Sequence, residues 1–190
     1  MATAFVLGNG ISRQKVNLNA LRPYGKIYGC NALYREFEPD VLVAADKPIS
    51  EQIQHSGYAL RHCFYTRKPL DGLGANRIPE DYWGFSSGQA ACGIAALEGN
   101  VSIYMIGFDL GGVNDRFNNV YADTEFYKRS IDRPTYTGNW VNQILQVAKA
   151  YPHVNFIRVT GSSTAVIKDF AQVRNIQNIT IEQFCETFGF

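Results

Sequence analysis

The sequence of 190 residues lacks an excess of either charge: 18 Lys+Arg stand against 17 Asp+Glu, a net charge of +1 at pH 7. So balanced a chain has no surplus of cations to neutralise a run of phosphates, which argues against a general nucleic-acid binder. Long apolar runs are missing too. Val41-Leu42-Val43-Ala44-Ala45 falls far short of the roughly 18 residues a spanning helix needs, so no membrane span is expected. The opening Met-Ala-Thr-Ala-Phe-Val-Leu has no basic leader and is cut short by Gly8-Asn9-Gly10, so no signal peptide is expected. Metal-binding spacings are equally scarce. Cys30, Cys63, Cys92 and Cys185 form no C-x-x-C pair, and His55, His62 and His153 have no ligand spacing. Reduced thiols, a cytoplasmic setting and no metal site are the expectation.

What is present is a globular composition, 46% hydrophobic and only 18% charged, which excludes disorder for most of the chain. Six short apolar runs read as strands: Ala4–Leu7, Lys26–Cys30, Val41–Ala45, His62–Tyr65, Val101–Ile106 and Val154–Val159. Runs apolar on both faces suit a parallel sheet covered by helices. Helices are expected over Ser87–Glu98, with Ser86-Ser87 as N-cap chemistry and Gly99-Asn100 as a stop, and over Asn139–Tyr151 before Pro152. A short amphipathic helix follows Thr180. The Asn-, Asp-, Arg- and Tyr-rich stretch from Gly111 to Gly138 is too long for an ordinary connector and reads as a lid-like insertion. Residues 1–190 are therefore expected to form a single nucleotide-binding α/β domain. Its sheet should be Rossmann-like, doubly wound and mostly parallel, with helices on both faces. A homo-oligomer is compatible with this composition.

In such a sheet, ligands bind beyond the carboxyl ends of the strands. The residues expected at those ends are Gly8-Asn9-Gly10, Asn31, Asp46, Ser86-Ser87-Gly88 and Gly107-Phe108-Asp109. Glycine lets backbone amides approach a phosphate, and a helix N-terminus adds free N–H groups. Taken singly, Gly8 and Gly10 read equally well as a tight turn, and Ser86-Ser87 as a plain cap. The G-x-G-x-x-G pattern is absent, since Arg13 occupies its third glycine position and no acidic residue follows the second strand. An ordinary dinucleotide site is therefore disfavoured.

Four blocks carry a resemblance. Phe5-Val-Leu-Gly-Asn-Gly-Ile-Ser, Gly29-Cys-Asn-Ala-Leu-Tyr34, Ser86-Ser-Gly-Gln-Ala-Ala-Cys-Gly-Ile-Ala-Ala-Leu97 and Ile103-Tyr-Met-Ile-Gly-Phe-Asp-Leu110 occur in order. Together they resemble the bacterial CMP-sialic-acid-dependent sialyltransferases, in a wider Rossmann-like group that includes archaeal pterin pyrophosphokinase-like proteins. The resemblance implies that Gly8, Asn9, Asn31, Ser87 and Gly88 hold a cytidine nucleotide, with CMP or a CMP-sugar as donor ligand and no metal. It also implies two tyrosines at the leaving phosphate and a histidine base in the lid. Here the first tyrosine falls on Gly111 and the histidine on Asn139, which cannot take a proton, while Tyr121 matches the second tyrosine. Tyr121, Asp109 and Asp123 are then the catalytic candidates, with Asp46 a further carboxylate. The leading reading is a nucleotide-sugar-binding, glycosyltransferase-like protein. Its alternatives are a catalytically inactive binding or assembly module and a metal-dependent pyrophosphokinase-like enzyme.

Overall fold

The computed structural model describes residues 2–190. Eight strands form one sheet in which every pairing is parallel. They are β1 (Thr3–Leu7), β2 (Lys26–Cys30), β3 (Val41–Val43), β4 (Cys63–Thr66), β5 (Asn76–Arg77), β6 (Ser102–Ile106), β7 (Asn155–Thr160) and β8 (Ile176–Thr180). Their order across the sheet is β5-β4-β3-β2-β1-β6-β7-β8. The chain starts at the centre, winds out to β5, returns to the far side of β1 and winds out again. This is the doubly wound α/β arrangement that the alternating runs imply.

Alternate residues of β1 serve opposite faces, as the pleat requires. Ala4 and Val6 join one buried cluster, Phe5 and Leu7 the other. The first face is covered by α2 (Ser87–Leu97) and α3 (Gly138–Ala150), the second by α1 (Lys47–His55) and α4 (Ile181–Phe188). The alanines of α2 (Ala90, Ala91, Ala95 and Ala96) are all buried, so small side chains bring this helix close over the middle of the sheet. Thr180 begins α4 with a capping box, its hydroxyl accepting from the Gln183 amide and the Gln183 side chain accepting from the Thr180 amide.

The structure adds elements that the patterns did not announce. β5 and β8 lie at the two edges of the sheet, and Gln177 and Asn178 of β8 are exposed. An edge strand with a wet face needs no apolar run, which is why neither was legible. α1 is short, and its buried Ile49 and Ile53 are one turn apart. After β1 and β2 the connections are 3₁₀ turns at Ile11–Lys15, Leu18–Leu21 and Asn31–Arg35 rather than α-helices. Residues 111–137 hold no helix or strand beyond a Val113–Arg116 bridge. The middle of that segment lies across the strand ends: the Val120 amide donates to the Asn9 carbonyl (2.8 Å) and the Tyr127 hydroxyl accepts from the Ala32 amide (3.3 Å). Among the described residues all four cysteines are unpaired, and no helix is long and apolar enough to cross a membrane. Cys63 is exposed on β4.

Candidate functional site

At the point where the winding reverses, the β1–β6 pairing runs on past the strand ends. The Gly8 amide donates to the Ile106 carbonyl (2.7 Å) and the Gly10 amide to the Gly107 carbonyl (2.9 Å). A Cβ on Gly8 would lie 2.6 Å from the Gly107 carbonyl oxygen, and one on Gly107, at φ +76°, would lie 2.6 Å from that of Gly8. Only glycine allows two backbones to approach so closely here. The turn reading of Gly-Asn-Gly therefore holds, and the same tight crossing makes the floor of a cleft.

Gly8, Asn9, Gly10, Asn31, Asp46, Ser86, Ser87 and Gly88 all line this one cleft over the ends of β1, β2, β3 and β6. Asp109 lines it as well, whereas Tyr121 and Asp123 do not. The side chains divide into those occupied by the protein and those left free. The Asn9 amide group donates to the Cys30 carbonyl (3.1 Å) and accepts from Arg13 (2.6 Å), so its role is structural first. The Ser87 hydroxyl accepts from the Ala45 amide and donates to Asn31 Oδ1, both at 2.9 Å, tying α2 to the ends of β2 and β3. The Asn31 Nδ2 and the Asp46 carboxylate have no protein partner among the described residues. Asn31 sits at φ +54°, a left-handed conformation that asparagine tolerates better than most residues.

The N-terminus of α2 is the most open polar feature. Ser86 occupies the N-cap position but makes no side-chain cap bond, and its own amide donates to Gln143 Oε1 (2.9 Å). The amides of Ser87, Gly88 and Gln89 are consequently unpartnered, with the positive end of the helix dipole behind them. The N-cap expectation is thus met in position and not in hydrogen bonding. Gln89 is only 4% exposed, lines the cleft, and its side-chain amide has no partner among the described residues. Nothing in its sequence position marks it, because a glutamine in the first turn of an Ala-rich helix looks like any surface residue. Among the described residues, no Lys, Arg or His side chain lines the cleft.

The three catalytic candidates are placed elsewhere or already engaged. Asp109 is 3% exposed, and its carboxylate accepts from the Ser12 amide (3.1 Å), the Ser12 hydroxyl, Asn118 (3.0 Å), Ser163 (2.8 Å) and Thr164 (3.2 Å). Five donors on two oxygens make it a clamp between four segments of chain, with no vacant position for a substrate proton. Tyr121 lies behind the cleft floor, buried, donating to Glu36 (2.6 Å) and accepting from Arg13 (3.1 Å). Burial, with the Glu36 bond, holds its hydroxyl well above the ordinary tyrosine range. Asp123 is exposed and accepts from the Ser130 amide (2.9 Å), which holds its carboxyl below the usual range. Asn139 is exposed and does not line the cleft, although Thr135, Thr137 and Trp140 beside it do. Tyr82 is part of the core, and Trp83 does not line the cleft.

A second buried group was hidden in a strand. Arg158 of β7 is 1% exposed and donates to the carbonyls of Phe108 (2.9 Å), Ala165 (2.8 Å) and Asp109 (3.0 Å). Burial lowers its pKa to about 10. Together with the Asp109 clamp it fixes the loop leaving β6. A lone arginine inside Asn155-Phe-Ile-Arg-Val-Thr was the available signal. Among the described residues no three His, Cys, Asp or Glu side chains converge as a metal would require.

No family model and no curated protein matches this sequence. Solved structures do match the fold. The sialyltransferase CstII from Campylobacter jejuni, in complex with the substrate analogue cytidine-5'-monophosphate, superposes with a TM-score of 0.53 at 13% identity, covering 83% of this chain and 79% of that one. Its complex with CMP-3FNeuAc gives 0.53 at 14% identity, covering 83% and 80%. The MAf glycosyltransferase from Magnetospirillum magneticum AMB-1 gives 0.58 at 14% identity over 94% of this chain. This chain spans about a third of that protein, 33%. The fold is glycosyltransferase-like. At these identities the likeness speaks for the architecture, and the residues of the cleft must carry any function.

Proposed function

We propose that the cleft binds a nucleotide sugar of the CMP type, without a metal ion. The observation that carries this reading is the uncapped N-terminus of α2, where three free amides and the unpartnered side-chain amide of Gln89 line one cleft. A phosphate there is held by N–H groups and the helix dipole, which needs neither a lysine nor a cation. Asn31 and Gln89 supply the directional donors and acceptors for a base or ribose. Binding of cytidine nucleotides by the two CstII structures supports the choice of nucleotide. A pyrophosphokinase-like reading would need carboxylates grouped around the phosphates. The cleft offers Asp46 alone, because Asp109 is fully engaged.

The test is calorimetry with CMP, UDP, GDP and ADP, with and without Mg²⁺. CMP is expected to bind best and equally in both conditions. Asn31→Ala and Gln89→Leu should each weaken it by about 1–3 kcal/mol, the worth of a buried hydrogen bond to the ligand. Binding that requires Mg²⁺ would instead favour the pyrophosphokinase-like reading. Sialyl transfer to lactose is expected to be weak or absent. Asn139 cannot act as a base, Tyr121 does not line the cleft and its hydroxyl is engaged with Glu36 and Arg13, and a positioned base typically supplies about 10²–10⁴-fold. Rapid CMP release from CMP-sialic acid would overturn this expectation.

A further inference from the structure

The same edge of the sheet carries a second cavity, of about 440 Å³, over the ends of β3 and β4. Asp46 lines both this cavity and the cleft, so the two adjoin at one carboxylate. Asp46 occupies the N-cap position of α1 without making a side-chain cap bond, and its carboxylate oxygens have no partner among the described residues.

Three basic residues, Lys47, Arg67 and Lys68, line the second cavity. Lys47 lies 3.8 Å from Glu51, but Arg67 and Lys68 have no carboxylate partner among the described residues. The Arg67 guanidinium donates to the carbonyls of Trp83 and Phe85, both at 2.8 Å, and the Trp83 indole N–H donates back to the Arg67 carbonyl at 3.1 Å. Neutral acceptors orient the guanidinium and leave its charge uncompensated. The reciprocal bonds also hold the indole in place with 37% of Trp83 exposed. A fixed, part-exposed indole with the Arg67 guanidinium 6.0 Å from its ring centroid, the two cations Arg67 and Lys68 without carboxylate partners, the Lys47–Glu51 pair and the free Asp46 carboxylate are thus gathered in one cavity.

The geometry points to a binding site for an anionic carbohydrate, in the position an acceptor would take beside the nucleotide sugar. A pyranose has a face of C–H bonds to lay against Trp83 and a polar rim for the surrounding groups. Its anionic substituent would meet Lys68 and Arg67, and a hydroxyl would donate to Asp46. The acceptor assignment rests on the nucleotide-sugar reading of the cleft; the site itself does not.

The chain has only two tryptophans, Trp83 in the second cavity and Trp140 in the cleft, so two indole N–H resonances report the two cavities separately. In the ¹⁵N-labelled full chain, glucuronic acid is expected to shift the Trp83 resonance saturably and CMP to shift that of Trp140. Glucose, which lacks the carboxylate, should move Trp83 less at the same concentration. Lys68→Ala should weaken the glucuronic acid response about two- to fivefold, the worth of an exposed ion pair. A Trp83 resonance indifferent to glucuronic acid, or equally responsive to glucose, or unchanged in affinity by Lys68→Ala, overturns the proposal. A Trp140 resonance silent to CMP would instead count against the nucleotide reading, whatever Trp83 does.

Discussion

Asp109 shows how a residue on the ligand-binding edge of a sheet can be structural. A carboxylate at the end of β6 matches the position of many catalytic acids, and the local sequence Gly107-Phe-Asp-Leu110 gives no hint of its partners. Those partners come from residues 12, 118, 163 and 164, which only the tertiary fold assembles. Hydrogen bonds to a charged group are the stronger kind, at about 1.5–3 kcal/mol each, and removing the acceptor strands every donor at once. Asp109→Ala is therefore expected to cost about 3 kcal/mol or more, read from urea denaturation midpoints. A loss below about 1 kcal/mol would mean that water replaces the carboxylate and that the clamp is dispensable. Gln89 is the converse case. It looks ordinary in sequence, yet the residue is only 4% exposed and its side-chain amide is left without a protein partner at the cleft, which is visible only once α2 is seated over the sheet.

At the scale of elements, the long segment from Gly111 to Gly138 divides in two. Residues 117–121 are stitched to the strand ends through Asn118, Val120 and Tyr121, and the Tyr127 ring follows against Tyr121. Beyond this, Arg129 and Asp132 bond chiefly to each other, and Ile131 and Tyr136 are exposed. A lid that opens should hinge where contacts to the body end. Amide exchange is expected to be slow at Val120, whose N–H is bonded to the Asn9 carbonyl, and fast over residues 129–136. Uniformly slow exchange across the segment would remove the lid, and uniformly fast exchange would remove the latch. The sequence marked this segment by its length and polarity, but the anchoring residues inside it look the same as their neighbours.

The whole molecule carries several tyrosines whose hydroxyls are buried between the sheet and its covering elements. Tyr28, Tyr58, Tyr121 and Tyr127 all have raised pKa values, with burial the largest cause in each, and for Tyr58 the value is about 12. Cys30, fully buried, is likewise pushed up to about 12 by burial. For an acid with a raised folded pKa, the native state keeps protons that the unfolded chain releases. The resulting stability is complete below the unfolded value, about 10 for tyrosine, and is lost as pH rises through the folded one. Urea midpoints are expected to fall steeply from about pH 10 upward, with the tyrosinate absorbance of these four buried tyrosines appearing only together with unfolding. Ionisation of Tyr28, Tyr58, Tyr121 or Tyr127 near pH 10 in a protein still folded would contradict their burial.

The sequence by itself determined the layered α/β class, the six inner strands and three of the four helices. Those elements follow from local apolar runs, caps and stops, which act within a few residues. It also brought Gly8, Asn9, Gly10, Asn31, Asp46, Ser86, Ser87 and Gly88 to a common edge, because strand ends in a doubly wound sheet fall on one side. The fold alone decided which of these have polar atoms left to offer. Asn9 and Asp109 are consumed by Arg13, Cys30, Ser12, Asn118, Ser163 and Thr164, while Asn31, Gln89 and the amides of α2 remain open. Hydrogen-bond saturation depends on partners far apart in the chain, and a sequence pattern carries no information about them. The edge strands β5 and β8 and the Arg13–Glu36–Tyr121 network were settled in the same way, by neighbours that only the folded chain supplies.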